Sequence, residues 1–408
     1  MSSNQLRAVV LAGARTPMTE WSGGKTGAGK PGGRLKSLSA NDLGAIAAQA
    51  ALERSAVKPE EIQHVIMGNA LQTSGDALYG ARHVGLKAGV PQEVPALTVN
   101  RLCGSGIQSV VSATQLIQLG EADTVLAGGM ENLSQTPHVL RGLRSGLRLG
   151  QGELEDLLMV SLRDSYCGLL MAQTAEKLAR ERNVSREEQD AFAFRSMSEA
   201  RRAREQGVLA EEIVPVVIQG RRGDDEVKDD DHLFDNPSLE AMSKLPPAFG
   251  RDGMVTAGNA SGIVDGAAAV VVMSADKAGA EGHKPLAQVV DWAVTGVAPN
   301  IMGIGPVPAI RQAVSRAGLK LEDIDLFEIN EAFAAQYLAV EKELGLPRER
   351  VNVNGGAIAI GHPLGATGTR LILTLAMELR RRGATWGVAS ACIGGGQGMA
   401  IVIRNPEA

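Results

Sequence analysis

The sequence predicts a layered α/β fold made of two duplicated halves with a third region inserted between them, and three observations carry that prediction. The first is composition. Of 408 residues, 44% are hydrophobic, yet only 3% are aromatic and 49 are glycine. A large core must then be built from Ala, Val, Leu and Ile with many close backbone contacts, which suits stacked sheets and helices. The length fits two or three domains. The second is an internal repeat: residues 50–62 (AALERSAVKPEEI) resemble residues 312–324 (QAVSRAGLKLEDI), so that Ile62 falls on Ile324. The same shift carries Ala70 onto Ala332 and Gly106 onto Gly368. The third is a change of character at residues 131–254, with charged helical patterns at 173–182 and 186–204, the acidic run 229–231 and Pro246-Pro247. Such charge runs read as exposed faces. This region is expected to be a mostly solvated lobe lying over the first half.

In chain order, residues 8–11 read as a buried strand, followed by a loop with Arg15, Thr16 and Pro17. Residues 24–30 nearly spell a phosphate-binding loop. Pro31 stands where a Ser or Thr would hold Mg²⁺, and no apolar strand leads in, so a surface loop is expected. Asn41 is expected to cap a helix with Leu43, Ile46, Ala47, Ala50 and Ala51 on one face, and residues 65–67 to form the next strand. A β-like run (Ala96, Leu97, Val99) then leads into Cys103-Gly104-Ser105-Gly106. Behind it, Ile107, Val110, Val111, Thr114 and Ile117 recur at helical spacing. Cys103 is thus expected at or near a helix N-terminus, where free N–H groups favour a thiolate. Taken alone, it reads equally as a small buried side chain at a strand–helix turn.

After the insertion the chain returns through residues 255–262 and a buried run at 267–273, and the second half opens near 286–290. The expected units are therefore 1–130 with 255–283, the insertion 131–254, and 284–408. In the register of the repeat Cys103 falls on Gly365, close to His362. Both halves enter a helix at matching points, one bringing a thiol and the other an imidazole.

Several classes are disfavoured. Lys plus Arg number 41 against 46 acidic residues, a net charge of −5, which gives no argument for nucleic acid or an anionic membrane. The three cysteines form no CxxC pair, so neither a disulfide framework nor a zinc or other metal site is expected. The first apolar run is too short for a signal peptide, and no segment reaches the roughly 18–20 apolar residues of a membrane span. A soluble protein of a reducing compartment fits these features.

Four stretches carry the chemistry: Cys103-Gly104-Ser105-Gly106, Asn330-Glu331-Ala332-Phe333, Gly361-His362-Pro363 and Cys392-Ile393-Gly394-Gly395-Gly396. With Gly128-Gly129-Met130-Glu131, Asp265-Gly266-Ala267 and the loop at 302–306, they resemble the thiolase family along essentially the whole chain. The wording is that of its mitochondrial-type 3-ketoacyl-CoA members. The resemblance implies a five-layer αβαβα arrangement, with two central helices between mixed sheets, plus an inserted loop domain. Reversible Claisen chemistry needs a nucleophile that carries an acyl group and a base working on a carbon α to a thioester. Cys103 would attack with His362 taking its proton, and Cys392 would act as acid and base at the α-carbon. One oxyanion would be held by the N–H groups of Cys103 and Gly394, the other by His362 with a water fixed by Asn330. Without the resemblance, Asn330 reads as a turn or cap residue and His362 as a satisfied loop histidine.

The resemblance further implies that Ser261, Ala257 and Phe249 line the pantetheine arm, and that Met171, Met302, Ala332 and Phe333 line the acyl pocket. The two methionines read equally as gap-filling core residues. Coenzyme A and acyl-CoA are implied as substrates, with no permanently bound cofactor. Other implications are a homodimer or homotetramer, with residues 138–149 as an assembly loop, and a bacterial cytoplasmic or mitochondrial matrix setting. Two departures stand out. Leu170 occupies the position where biosynthetic members carry His. A basic residue near the CoA phosphates is replaced around Phe234, which leaves Arg221 or Arg222 as candidates. The expected activity is thiolytic cleavage of 3-ketoacyl-CoA. The alternatives are an acetyltransferase confined to acetoacetyl-CoA, a ketosynthase-like condensing enzyme (against which Cys392 speaks) and a non-catalytic acyl-CoA-binding protein.

Overall fold

The computed structural model describes residues 7–24, 32–221, 223–234 and 236–408. Most of the near phosphate-binding loop, from Lys25 onward, and Arg222 lie outside the described residues. The first half consists of β1 (Ala8–Arg15), α1 (Ala40–Ser55), β2 (His64–Gly68), α2 (Gly80–Lys87), β3 (Ala96–Val99), α3 (Ser105–Gln118) and β4 (Thr124–Glu131). The insertion carries α4 (Met171–Glu181) and α5 (Arg186–Glu205), after which β5 (Val264–Ser274) completes the first half. The second half supplies β6 (Ala287–Gly296), α6 (Pro306–Arg316), β7 (Leu326–Ile329), α7 (Ala334–Leu344), α8 (Leu364–Arg382), β8 (Trp386–Ile393) and β9 (Gln397–Arg404).

These strands run in the order β7-β8-β9-β6-β1-β5-β4-β2-β3, with the short strand Thr19–Glu20 paired to β5. From the centre outward, β1-β5-β4-β2 in one half is answered by β6-β9-β8-β7 in the other. The halves meet where β1 and β6 pair antiparallel over only Val9↔Gln288 and Val10↔Ala287. The duplication is kept in the elements themselves: β4 and β8 are shifted by the same amount as the turns Pro59–Glu61 and Leu321–Asp323.

Strand alternation makes the layers. Along β4, Val125 and Ala127 face one cluster with α3 and α8, while Leu126 and Met130 face the opposite cluster with α1 and α2. Along β9, Met399, Ile401 and Ile403 join the α3–α8 cluster, while Ala400 and Val402 face α6 and α7. Each half of the sheet is therefore covered on both faces, and α3 and α8 form the middle of five layers. Gly106 and Gly368, equivalent in the repeat, let these helices touch. A Cβ on either would fall inside van der Waals contact of the other helix's backbone, at Thr369 N and Ile107 N.

Two expectations are corrected. Helix α1 is capped by Ser39, not Asn41: Ser39 and Asp42 form a capping box that satisfies two backbone N–H groups at once. Asn41 lies inside the helix and donates to Asp76 O. The insertion is also neither mostly solvated nor confined to the first half. Leu178, Phe192 and Met197 of α4 and α5 share a core with α6 and α7 of the second half, whereas Val216 and Val227 pack into the outer cluster of the first. Its charged residues occupy the outward faces of helices whose inward faces are apolar.

Candidate active site

Cys103 sits in a single 3₁₀ turn, Leu102–Gly104, immediately before α3. The turn is strained and locked. Leu102 has a left-handed φ of 47°, its N–H donates to Asn100 Oδ1, and its carbonyl accepts from the Ser105 hydroxyl. A Cβ at Gly104 would lie 2.5 Å from Ile393 Cδ1, so the Ile393 side chain would have to shift to admit one. The end of β8, which carries Cys392, therefore packs directly on the turn that carries Cys103.

His362 follows Gly361, whose φ of 104° only glycine adopts readily. Its N–H donates to Gly262 O at 2.9 Å. On the ring, Nε2 lies 3.3 Å from Asn330 Nδ2 and Nδ1 lies 2.6 Å from Thr367 Oγ1. Thr367 passes its own hydrogen to Pro363 O, so it accepts from His362 Nδ1–H, and the Nε2 lone pair faces the amide of Asn330. This is the tautomer of a general base. Asn330 stands at the end of β7, where its N–H donates to Ser390 O, and its side-chain Oδ1 is buried without a protein partner.

Cys103, His362, Cys392 and Gly394 line one cavity of about 290 Å³, together with Ser261, Met171, Met302, Ala332 and Phe333. Asn330 lies behind His362. Two predicted residues are placed elsewhere. Phe249 lines a neighbouring cavity beside Gln173, Lys177 and Arg180 of α4, and Ala257 is exposed outside the thiol cavity. Met302, Ala332 and Cys392 form a small apolar cluster of their own, with Met171 and Phe333 against it. The two methionines are thus site wall and packing at once. Arg221 is exposed at the tip of the hairpin that packs its Val216 and Val227 on the first half's outer face, and it does not line the thiol cavity.

The electrostatics correct the expected preformed thiolate. Burial pushes the Cys103 thiol up to about 11, opposed by the N–H groups of Gly394 and of Cys103 itself, with Glu131 adding repulsion. The N–H groups at the sulfur are those of Gly394 and of Cys103 itself, in the turn before the helix, and burial outweighs them. Burial also drives His362 down to about 3, with the Arg370 cation adding to it. Cys392 is raised further still, by burial and then by Cys103. These shifts favour thiols at both cysteines and a neutral imidazole that carries its proton on Nδ1.

Glu131 was not assigned a role from sequence, although it ends a motif noted there. It is fully buried and accepts hydrogen bonds from Asn69 Nδ2, Ala70 N, Leu71 N and Gly365 N. Burial pushes its carboxyl up to about 7 against these donors. Four donors on two oxygens fit the ionised form, and the last of them ties the first half to the turn after His362. The sequence signal was an acid ending a run, residues 125–130, that has no other polar side chain. Thr367 and Arg163, the cation lining the cavity, were also missed. Among the described residues no group of three or more His, Cys, Asp or Glu could hold a metal ion, and no helix is long and apolar enough to cross a membrane.

The comparisons with known proteins agree with this geometry. Residues 9–276 match the family model of the thiolase N-terminal domain, and residues 283–405 that of the thiolase C-terminal domain. The human mitochondrial 3-ketoacyl-CoA thiolase is 50% identical over 397 residues, 97% of this chain and 98% of that one. An acetyl-CoA acetyltransferase of Cupriavidus necator is 50% identical over 386 residues, 94% of this chain and 98% of that protein. The crystal structure of the human mitochondrial enzyme in complex with CoA superimposes with a TM-score of 0.92 at 49% identity, covering 98% of each chain. With both halves matched and two thiols and an imidazole meeting in one cavity, the chain belongs to the thiolase family and is an acyltransferase.

Proposed function

We propose that the chain cleaves 3-ketoacyl-CoA with free CoA, giving acetyl-CoA and an acyl-CoA shortened by two carbons, and runs the reverse Claisen condensation through the same acyl-cysteine. The observation that carries the reading is the shared cavity of Cys103, Cys392 and His362, with the Gly394 N–H directed at the Cys103 sulfur. Cys103 attacks the 3-keto carbon as its proton passes to His362 Nε2. The proton starts on sulfur, so its transfer accompanies attack. Breaking the C2–C3 bond leaves an enolate on acetyl-CoA, which Cys392 protonates. The thiol of CoA then gives a proton to Cys392 and attacks the acyl-Cys103, forming the shortened acyl-CoA and expelling the Cys103 sulfur, which takes its proton back from His362. Backbone N–H groups of Cys103 and Gly394 stabilise one oxyanion, and His362 with an Asn330-held water the other. Losing one such donor costs roughly 2.7–4 kcal/mol of barrier.

In this reading Ser261 lies along the pantetheine arm and Met171, Met302, Ala332 and Phe333 shape the acyl pocket. Ala257 and Phe249 would contact CoA beyond the cavity mouth. CoA and acyl-CoA are substrates, as the CoA-bound relative supports, and no cofactor is held permanently. The three units proposed are 1–130 with 255–283, 131–254 and 284–408. The working form proposed is a homodimer or homotetramer in the mitochondrial matrix or a bacterial cytoplasm. Exposed Leu143, Leu149 and Leu154 around the 138–149 loop support assembly there.

Mass spectrometry after incubation with acetyl-CoA tests the reading. An acetyl group on Cys103 is expected. Its absence from folded protein favours a non-catalytic acyl-CoA-binding role. Cys392→Ala should still acylate Cys103 but lose carbon–carbon bond cleavage and formation, and equal loss of both steps would contradict the division of labour. The equal identity to the Cupriavidus acetyltransferase favours, as a second reading, an enzyme confined to acetoacetyl-CoA. Activity on longer 3-ketoacyl chains excludes it.

A further inference from the structure

One deeply buried charged pair has no part in the scheme above. Glu328 lies on β7 two residues before Asn330, and Arg370 lies on α8 three residues beyond Thr367. Side chains alternate along a strand, so Glu328 and Asn330 leave β7 on the same side, while Phe327 and Ile329 belong to the outer cluster. Residues three apart on a helix share a face, so Thr367 and Arg370 meet that side of the strand together. The two contacts across this interface are successive rungs. Asn330 Nδ2 lies 3.3 Å from His362 Nε2, and Arg370 Nη1 lies 3.3 Å from Glu328 Oε2.

The side chains of the second rung are only 2% and 3% exposed. Ion pairs buried this deeply add little stability, because lost hydration offsets their attraction. Here the bonding is also incomplete, since Arg370 Nη2 has no partner in the protein. Well-packed apolar residues would serve the core at least as well. Stability alone therefore does not account for these charges.

We propose that Glu328 and Arg370 are positioning residues for acyl transfer: they fix the register of β7 against α8 and so hold Asn330 and the Thr367-clamped His362 in mutual reach. The inference rests on the acyl-transfer reading of the site. Charge acts in the same direction as geometry. The Arg370 cation adds to burial in keeping a proton off His362. Burial pushes the Glu328 carboxyl up to about 8, Glu212 of the insertion, Glu331 beside Asn330 and Glu378 further along α8 push the same way, and Arg370 opposes them.

The test compares wild type with Arg370→Met, Arg370→Lys and Glu328→Gln, each checked by thermal melting. Acetylation of Cys103 by acetyl-CoA is followed by quenched mass spectrometry as a function of pH. Arg370→Met is expected to slow acetylation by about 10–100-fold while KM for acetyl-CoA stays within about twofold. Losing the cation raises the proton affinity of His362, so the acid limb of its pH profile moves up toward ordinary imidazole values. Arg370→Lys, which keeps the charge, should recover much of the rate and restore the limb. Glu328→Gln keeps an acceptor for Arg370 and should not move the limb upward. An unchanged rate and an unmoved limb in folded Arg370→Met overturn the inference, as does a loss confined to KM. If Arg370→Met does not fold, the double variant Glu328→Gln/Arg370→Met removes both charges and is read by the same criteria. A wild-type protein that never acquires an acetyl-Cys103 sinks the acyl-transfer reading itself. A wild-type adduct with variants indistinguishable from it sinks only the positioning role.

Discussion

Protons at the site are placed by burial more than by any partner. Burial holds the Cys103 thiol at about 11 and His362 at about 3, so from mildly acid to alkaline pH the free protein carries a neutral pair. A thiol four units above neutral pH is thiolate in about one molecule in 10⁴ at pH 7. Thiolate grows as pH rises, so alkylation of Cys103 by iodoacetamide should accelerate about tenfold per pH unit between neutrality and pH 10. Peptide mass spectrometry of Cys103 checks this, and a rate already flat at pH 7 would mean a preformed thiolate–imidazolium pair. The identity of the nucleophile was legible in the sequence because its motif stands with three others along the chain. Its protonation state was not, because that depends on desolvation by β8. Glu131 and Thr367 were illegible for a related reason. A carboxylate that accepts from Gly365, 234 positions away, leaves no local pattern.

Among the elements, the central helices show which effect wins when a glycine is replaced. Alanine is favoured over glycine inside a helix by about 1 kcal/mol. At Gly368 the added Cβ would fall 2.3 Å from the backbone nitrogen of the fully buried Ile107, so backbone and not a flexible side chain would have to give way. Overpacking of this kind costs about 1–3 kcal/mol or more, so Gly368→Ala should destabilise despite its better propensity. Gly279, in the helix Ala275–Ala280, has nothing within 4 Å of an added Cβ, and Gly279→Ala should be neutral or mildly stabilising. Chemical denaturation of both variants makes the comparison, and equal effects would mean that the helices separate more easily than their contact suggests. The repeat made this contact half readable. It paired Gly106 with Gly368, but not the fact that the two backbones touch. The misplaced cap of α1 arose from a competition the sequence does show: Ser39 with Asp42 satisfies two N–H groups where Asn41 would satisfy one.

At the scale of the whole molecule, the question is what fastens the insertion to both halves so that Met171 stays beside the thiols. One fastening is apolar, the core shared by α4, α5 and α7. Near the site it is joined by a short hydrogen bond from the Ser196 hydroxyl to Glu331. The other is ionic. Arg15, at the end of β1, is fully buried and donates through Nε to Glu212 at 2.8 Å and through Nη1 and Nη2 to the two Asp230 oxygens at 2.7 and 2.9 Å. Arg54 of α1 adds hydrogen bonds to the carbonyls of Glu211, Glu212 and Ile213. Removing one member of such a buried network leaves unpaired charge behind, a loss of about 3–5 kcal/mol. Arg15→Met should therefore lower the melting temperature sharply and open the insertion to limited proteolysis around residues 206–231 before the two halves unfold. Neutralising the stranded acids as well, in Arg15→Met/Glu212→Gln/Asp230→Asn, should return much of that loss, because the penalty lies in orphaned carboxylates more than in a missing attraction. If the triple variant instead melts lower than Arg15→Met alone, orphaned charge is not the penalty, and the carboxylates stabilise the fold through donors other than Arg15, such as the Met18 N–H on Asp230.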